Sequence, residues 1–353
     1  MIPRLWITQV GAVLRLEIRK SFLSRRGWWI YLLAALPFLI FGGHAIQSQL
    51  DGQRAVRWKT EGTTPEKLRT IEVGMKVEDL RKLLPNPAEY HRFDNRWGEH
   101  ETFVYSDGEH IVNVRSLDGE IERVIRRGSS CDPVEDSKIF AGVFQFLYLR
   151  LFIFFGCLFV FMNLFRGEML DKTLHFYFLA PLRREVLVAG KFLAGLTATA
   201  AVFCLSTIGQ LVFLYVHWHA DQRSLYPSML SDAASYCGVT VLACLGYGSV
   251  FLAAGMLVRN PLIPGAVILL WESINGILPS TLRHISVIYY LKSLCPVEVP
   301  MSQNTPPPPA LLASNVDPAG PVVAIGGLLL VASAVLAHSM MRARRMEINY
   351  GTD

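Results

Sequence analysis

The 353-residue chain is 52% hydrophobic, little above the ~45–50% of an ordinary globular protein, so mean apolarity decides nothing. Charge distribution does: residues 48–138 hold 18 of the 29 acids and 15 of the 34 bases, leaving 11 acids and 19 bases around long uncharged stretches elsewhere. That pattern excludes a soluble globule.

Residues 1–26 open the chain with an apolar stripe, Leu5, Trp6, Val10, Val13 and Leu14, beside Arg15, Arg19 and Lys20. This predicts a cytoplasmic helix lying in the membrane interface. Stretches 27–50, 192–220, 233–258 and 318–341 carry no Asp, Glu, Lys or Arg, and 139–165 and 260–282 carry one each. Each exceeds the ~20 apolar residues that cross ~30 Å of hydrocarbon as a helix. Membrane strands would alternate in polarity, which these runs do not. The reading is an all-α polytopic membrane protein with six transmembrane helices, at 27–47, 139–165, 191–217, 233–258, 261–279 and 320–341. The first is not read as a secretory signal, being long, without a convincing small-residue cleavage site, and followed by five more spans.

With the N-terminus inside, the inner segments hold 15 Lys and Arg, and the short outer loops only Arg223, Arg283 and Lys292. Both termini are therefore assigned to the cytoplasm, in a cell (inner) membrane, with 342–353 as a cytoplasmic tail. The loops at 48–138 and 280–319 then lie outside.

Within 48–138, residues 65–127 predict a small α+β domain between the first two spans. Asp107-Gly108 and Asp118-Gly119 separate β-rich segments at 101–106, 109–117 and 120–125, the pattern of two hairpins. Ahead of them Val77, Leu80, Leu83 and Leu84 share one helical face, and Pro85 and Pro87 end that helix. Gly74-Met75, the helix, Asn86-Pro87, and three strands with Tyr105 in the first resemble the small SmpA/OmlA-like domain of outer-membrane-assembly lipoproteins. Here Leu84-Pro85-Asn86-Pro87 stands where that family usually shows Leu-Gly-x-Pro. The resemblance implies an interaction module that meets an envelope protein.

The cytoplasmic loop at 166–190 is unusually patterned for a connector. Leu170, Leu174 and Tyr177 or Phe178 recur at helical spacing among Glu168, Asp171 and Lys172, Pro181 ends the run, and Arg183-Arg184 anchors the next span. A plain charged turn and a short amphipathic helix both fit these residues. Phe165-x-x-Glu168-x-x-x-x-Thr173-Leu174, then Ala180-Pro181-Leu182-x-Arg184, then Gly190-Lys191 is similar to the permease subunits of type-2 ABC exporters. Lys172 stands where many members carry Gly. The similarity extends to the basic N-terminal segment, which in that family is an elbow helix, to the six spans, and to the large first outer loop. It implies a coupling helix that docks on a separate ATP-binding subunit through Glu168, Thr173, Leu174, Pro181, Arg184 and Lys191. It further implies a second permease copy, in a homodimer or a heterodimer. No Gly-x-x-x-x-Gly-Lys-Ser/Thr occurs, so ATP hydrolysis by a P-loop is expected in another chain.

Arg150 and Glu272 lie well inside expected spans, where a lone charge costs at least ~2.5–3.5 kcal/mol. Counted from the cytoplasmic flanks, their depths differ by roughly 5 Å. They are read as lining a shared translocation path or forming an intramembrane pair; the alternatives are Arg150 reaching the outer interface and Glu272 protonated. Cys131 and Cys295 fall outside the membrane and form a candidate disulfide, which spacing cannot fix. His217-Trp218-His219 points its imidazoles apart on a helix, so no metal site is assigned. Neither catalytic residues nor a cofactor nor nucleic-acid binding is expected. The function expected is the permease subunit of an ABC exporter; the alternative is a membrane-anchored scaffold presenting the outer domain without transport.

Overall fold

The computed structural model describes residues 2–23, 28–96, 98–128, 133–170, 183–218, 229–258, 260, 262–297 and 319–345. The chain begins with α1 (Ile2–Leu23), α2 (Trp28–Arg57), α3 (Pro65–Arg69) and α4 (Val77–Leu83). Strands β1 (Glu89–Asn95), β2 (Gly98–Ser106), β3 (His110–Leu117) and β4 (Glu120–Gly128) follow. Then α5 (Pro133–Val143) passes through a π-helix (Phe144–Ile153) into α6 (Phe154–Leu170). After it come α7 (Arg184–His217), α8 (Met229–Leu257), α9 (Leu262–Ser273), α10 (Ser280–Arg283), α11 (Val287–Ser293) and α12 (Pro321–Arg344).

Among the described residues, five helices are long and apolar enough to cross a bilayer: 28–57, 136–165, 184–216, 230–257 and 321–344. The stretch expected as a crossing at 261–279 differs. Its helix, α9, has 12 residues, a rise of about 18 Å. After Ser273 the chain enters a 3₁₀ turn (Ile274–Ile277) and then Pro279 and α10. Asn275, Gly276 and Pro279 are poor helix residues, which accounts for the break.

The chain divides into two compact units, one of residues 1–39, 137–212 and 227–353, the other of 40–136 and 213–226. In the first, ring packing of Phe140 and Phe144 on Tyr236, and of Phe154 on Tyr247 and Phe251, joins the α5–α6 rod to α8. Lipid supplies no hydrophobic drive between helices, so close packing and buried hydrogen bonds must hold them. Tyr148 donates to the Phe203 carbonyl at 2.6 Å, and the Thr207 and Thr240 hydroxyls meet at 3.3 Å, linking the π-helix, α7 and α8. Near Pro37, which interrupts the hydrogen bonding of α2, the Ala34 carbonyl accepts from Ser206 of α7 at 2.6 Å.

The second unit holds a four-stranded antiparallel meander in the order β1-β2-β3-β4. Asp118 (φ 49°) and Gly119 (φ 84°) adopt the left-handed backbone that a two-residue hairpin requires. One sheet face packs Phe103, Tyr105, Val112, Val114 and Ile121 against Leu68, Ile71, Val77, Leu80 and Leu84. On the other face Val104 and Ile111 pack on Ala55, at the end of α2, and Ser106 Oγ donates to the Ala55 carbonyl at 2.8 Å. The two expected hairpins are present, but the sheet has a fourth strand, β1, that the sequence reading omits. All seven of its residues are exposed and show no apolar alternation, so only its register against β2 creates it.

At the first hairpin, Asp107 Oδ1 accepts from the amides of Glu109 (2.8 Å) and His110 (2.6 Å), and Oδ2 meets the His110 ring at 3.0 Å. Burial works to raise the Asp107 carboxyl, but these hydrogen bonds outweigh it and hold the group below its ordinary value. In the core, burial pushes the Tyr105 hydroxyl up to about 12, against a smaller opposing pull from Arg81.

Candidate functional site

The expected coupling segment is flanked by α6 and α7. Thr173, Leu174 and Pro181 lie outside the described residues, whereas Glu168, Arg184 and Lys191 are described. The structure brings Glu168 and Lys191 together and adds Glu17 of α1. Lys191 Nζ donates to Glu17 Oε1 at 2.7 Å and to the Leu164 carbonyl at 2.9 Å, and lies 2.8 Å from Glu168 Oε1. Three acceptors thus match the three donors of an ammonium. The Phe165 ring, 5.5 Å from Nζ, covers it. Lys191 is 0% exposed, Glu168 1% and Glu17 2%. A buried cation tolerates such a site only with close, hydrogen-bonded counter-charges, and two carboxylates supply them.

Local sequence sets this geometry. Val13 and Glu17 stand four residues apart, on one face of α1. Gly190, just before Lys191, lets α1 come close: a Cβ there would lie 2.7 Å from Val13 Cβ. At the start of α7 the Arg183 guanidinium lies 5.2 Å from the Trp6 ring centre. Arg184 Nη1 donates to the Arg344 carbonyl at 3.1 Å, and Arg344 pairs with Glu185, which fastens α7 to the end of α12. α7 therefore holds two polar contacts: the buried Glu17–Lys191–Glu168 knot with α1 and α6, and the Arg184 and Glu185 contacts with the end of α12.

No motif marks Glu17 as a site residue; its one signal in the sequence is that it is the only acid in the first 50 residues, within a strongly basic segment.

Glu272 and Arg150 are each 4% exposed. Glu272, near the end of α9, accepts from Val287 N (3.0 Å), Ile288 N (2.9 Å) and Ser286 Oγ (2.7 Å), and so caps α11. Arg150, on the π-helix, is not among its hydrogen-bond or ion-pair partners. Four residues before Arg150, the Phe146 ring centre lies 5.3 Å from Lys292 Nζ, and Gln145 Nε2 donates to the Val297 carbonyl at 3.0 Å. Cys295 is a free thiol whose Sγ donates to the Leu291 carbonyl at 3.5 Å, while Cys131 lies outside the described residues. Trp218 Nε1 donates to Asp136 Oδ2 at 2.9 Å within the second unit. Among the described residues, no three His, Cys, Asp or Glu side chains gather as a metal site would require.

The class these features define is a mostly helical protein suited to a membrane, with an inserted α+β domain and a buried ionic knot at one set of helix ends. Compared with models of protein families, with curated proteins and with solved structures, the chain matches none.

Proposed function

We propose that the chain is the membrane-spanning permease subunit of an ATP-binding cassette exporter, moving an unidentified substrate with ATP hydrolysed by a separate subunit. The observation that carries this reading is the buried Glu17–Lys191–Glu168 knot. It joins the end of α6 and the start of α7, the two helices between which 171–182 runs, to each other and to α1. A push delivered to that connection would tilt both helices as one body, because the buried ammonium fixes their ends. In this reading both termini are cytoplasmic, two permease copies work with two ATPase subunits, and α9 with its following turns makes a sixth, interrupted crossing. Arg150 and Glu272 belong to the helices around the translocation path. The chain itself performs no covalent chemistry.

The test is co-purification with an ATPase encoded beside the gene, followed by ATP hydrolysis with and without the membrane subunit. Glu168→Gln and Arg184→Ala should leave the complex assembled but abolish the effect of the membrane subunit on hydrolysis. Failure of any ATPase to associate, or labelling that places 166–190 on the opposite face from the ATPase, overturns the proposal. A scaffold without transport would be indifferent to both substitutions.

A further inference from the structure

We infer that two facing pairs of thiols in the helical unit, Cys204 with Cys237 and Cys157 with Cys244, are binding sites for a soft monovalent cation such as cuprous ion. All four are free thiols of the first unit, drawn from α6, α7 and α8. Cys204 Sγ donates to the Cys237 carbonyl at 3.7 Å, and the two thiols are in hydrogen-bonding contact. Cys157 and Cys244 make a second thiol–thiol hydrogen bond. The pairs are also linked to each other. Cys237 and Cys244 stand seven residues apart on one face of α8, a rise of about 10.5 Å, and Cys204 interacts electrostatically with both.

Ordinary packing would bury each sulfur among hydrocarbon, because a small apolar thiol needs no partner. Here four of the six cysteines set sulfur against sulfur twice. Cys157 and Cys244 are 0% exposed, whereas Cys204 and Cys237 are half-buried, so one pair is dry and the other is reached from the surface of the bundle. Gly238, beside Cys237, leaves open space where a side chain would stand.

Donor type and charge select the ion. The thiolate is the ligating form, and soft sulfur donors select cuprous ion over hard cations. Among the described residues no three His, Cys, Asp or Glu side chains gather, so the four ligands of a zinc site are missing. At each pair, two thiols and one monovalent cation give one thiolate and one thiol on the ion, and one proton leaves. The product is neutral. A divalent ion admitted by the same exchange would leave a net charge among apolar helices, where charge is costly. Binding of the ion requires no ATPase, so failure here and failure of the exporter reading are separable.

The experiment uses the full chain carrying Cys131→Ser and Cys295→Ser, purified anaerobically in detergent. Cuprous ion buffered by bicinchoninate is titrated in; loss of the coloured chelate gives the copper withdrawn, and a pH dye gives the protons released. About one ion per pair and about one proton per ion are expected. Cys204→Ser and Cys244→Ser should each remove about half of the bound copper, and both together all of it, with thermal unfolding unchanged. Where a serine variant unfolds, Cys237→Ala and Cys157→Ala test the same pairs from the other helix. X-ray absorption of the copper-loaded protein should show sulfur neighbours alone. No copper withdrawn, equal binding by the double variant, oxygen or nitrogen neighbours at the copper, or equal competition by zinc overturns the proposal.

Discussion

Glu168 and Glu272 are both buried acids of the helical unit, but Glu168 faces the ammonium of Lys191 whereas Glu272 faces backbone amides and a hydroxyl at the start of α11. The first arrangement joins residues 17, 168 and 191, from three helices distant in sequence; the second closes a loop of about 15 residues. Side-chain counter-charges can thus tie together elements that must move as one, while a carboxylate on amides fixes a local turn. Removing a partner from the first leaves a charge stranded in a dry site. Removing the second leaves neutral amides unsatisfied, which costs less.

The largest expected effect tests this directly. Lys191→Ala should destabilise the protein by about 3–5 kcal/mol, the cost of an unpaired buried charge, measured by denaturant or thermal unfolding in detergent. The triple change Glu17→Gln, Glu168→Gln and Lys191→Met should recover most of that loss. An unaffected single variant would break the comparison, because the knot would then hold no net charge worth compensating. Next, Glu272→Gln should cost about 2 kcal/mol and speed hydrogen exchange at the Val287 and Ile288 amides. Exchange in α1 should stay unchanged; a change there would show that the two acidic sites are coupled.

Smaller again is Gly190→Ala, where the added methyl must displace Val13. A loss of about 1–2 kcal/mol is expected, with faster exchange in α1. In the inserted domain, Asp107→Ala should cost about 1 kcal/mol. The Asp107 carboxyl is held below its ordinary value of 3.8, so its contribution is fully present above that pH. It should be lost as acidity increases through the lower folded value, visible as a fall in the domain's unfolding temperature that Asp107→Ala lacks. The least effect belongs to Tyr105→Phe. The Tyr105 hydroxyl is buried without a hydrogen-bond partner among the described residues, so its removal should be neutral or stabilising by under about 1 kcal/mol.

Much of the fold is legible in the chain because its signals are one-dimensional. An uncharged run of more than twenty residues needs no partner to declare a membrane helix, and Asp118-Gly119 declares its hairpin through backbone sterics alone. β1 is not legible, since Glu-Tyr-His-Arg-Phe-Asp-Asn shows no alternation and becomes a strand only by register with β2. The candidate site divides in the same way. Glu168 and Lys191 stand out beside the expected connection, but nothing local reveals that Glu17 completes their hydrogen bonding. Counting residues from the flanks places Arg150 and Glu272 at similar depth only if both lie on straight helices. The break after Ser273 gives Glu272 nearer partners in α11.

The sequence by itself determined that the chain carries helices long and apolar enough for a membrane, and that a compact α+β domain separates the first two. These follow from local composition, because burial in lipid and turn sterics act on neighbours in the chain. Only the tertiary structure decided which acids meet which donors and that the fifth apolar run, 261–279, is interrupted. Those outcomes depend on distances between residues far apart in sequence, and a buried charge accepts whichever partner the fold delivers within about 3 Å.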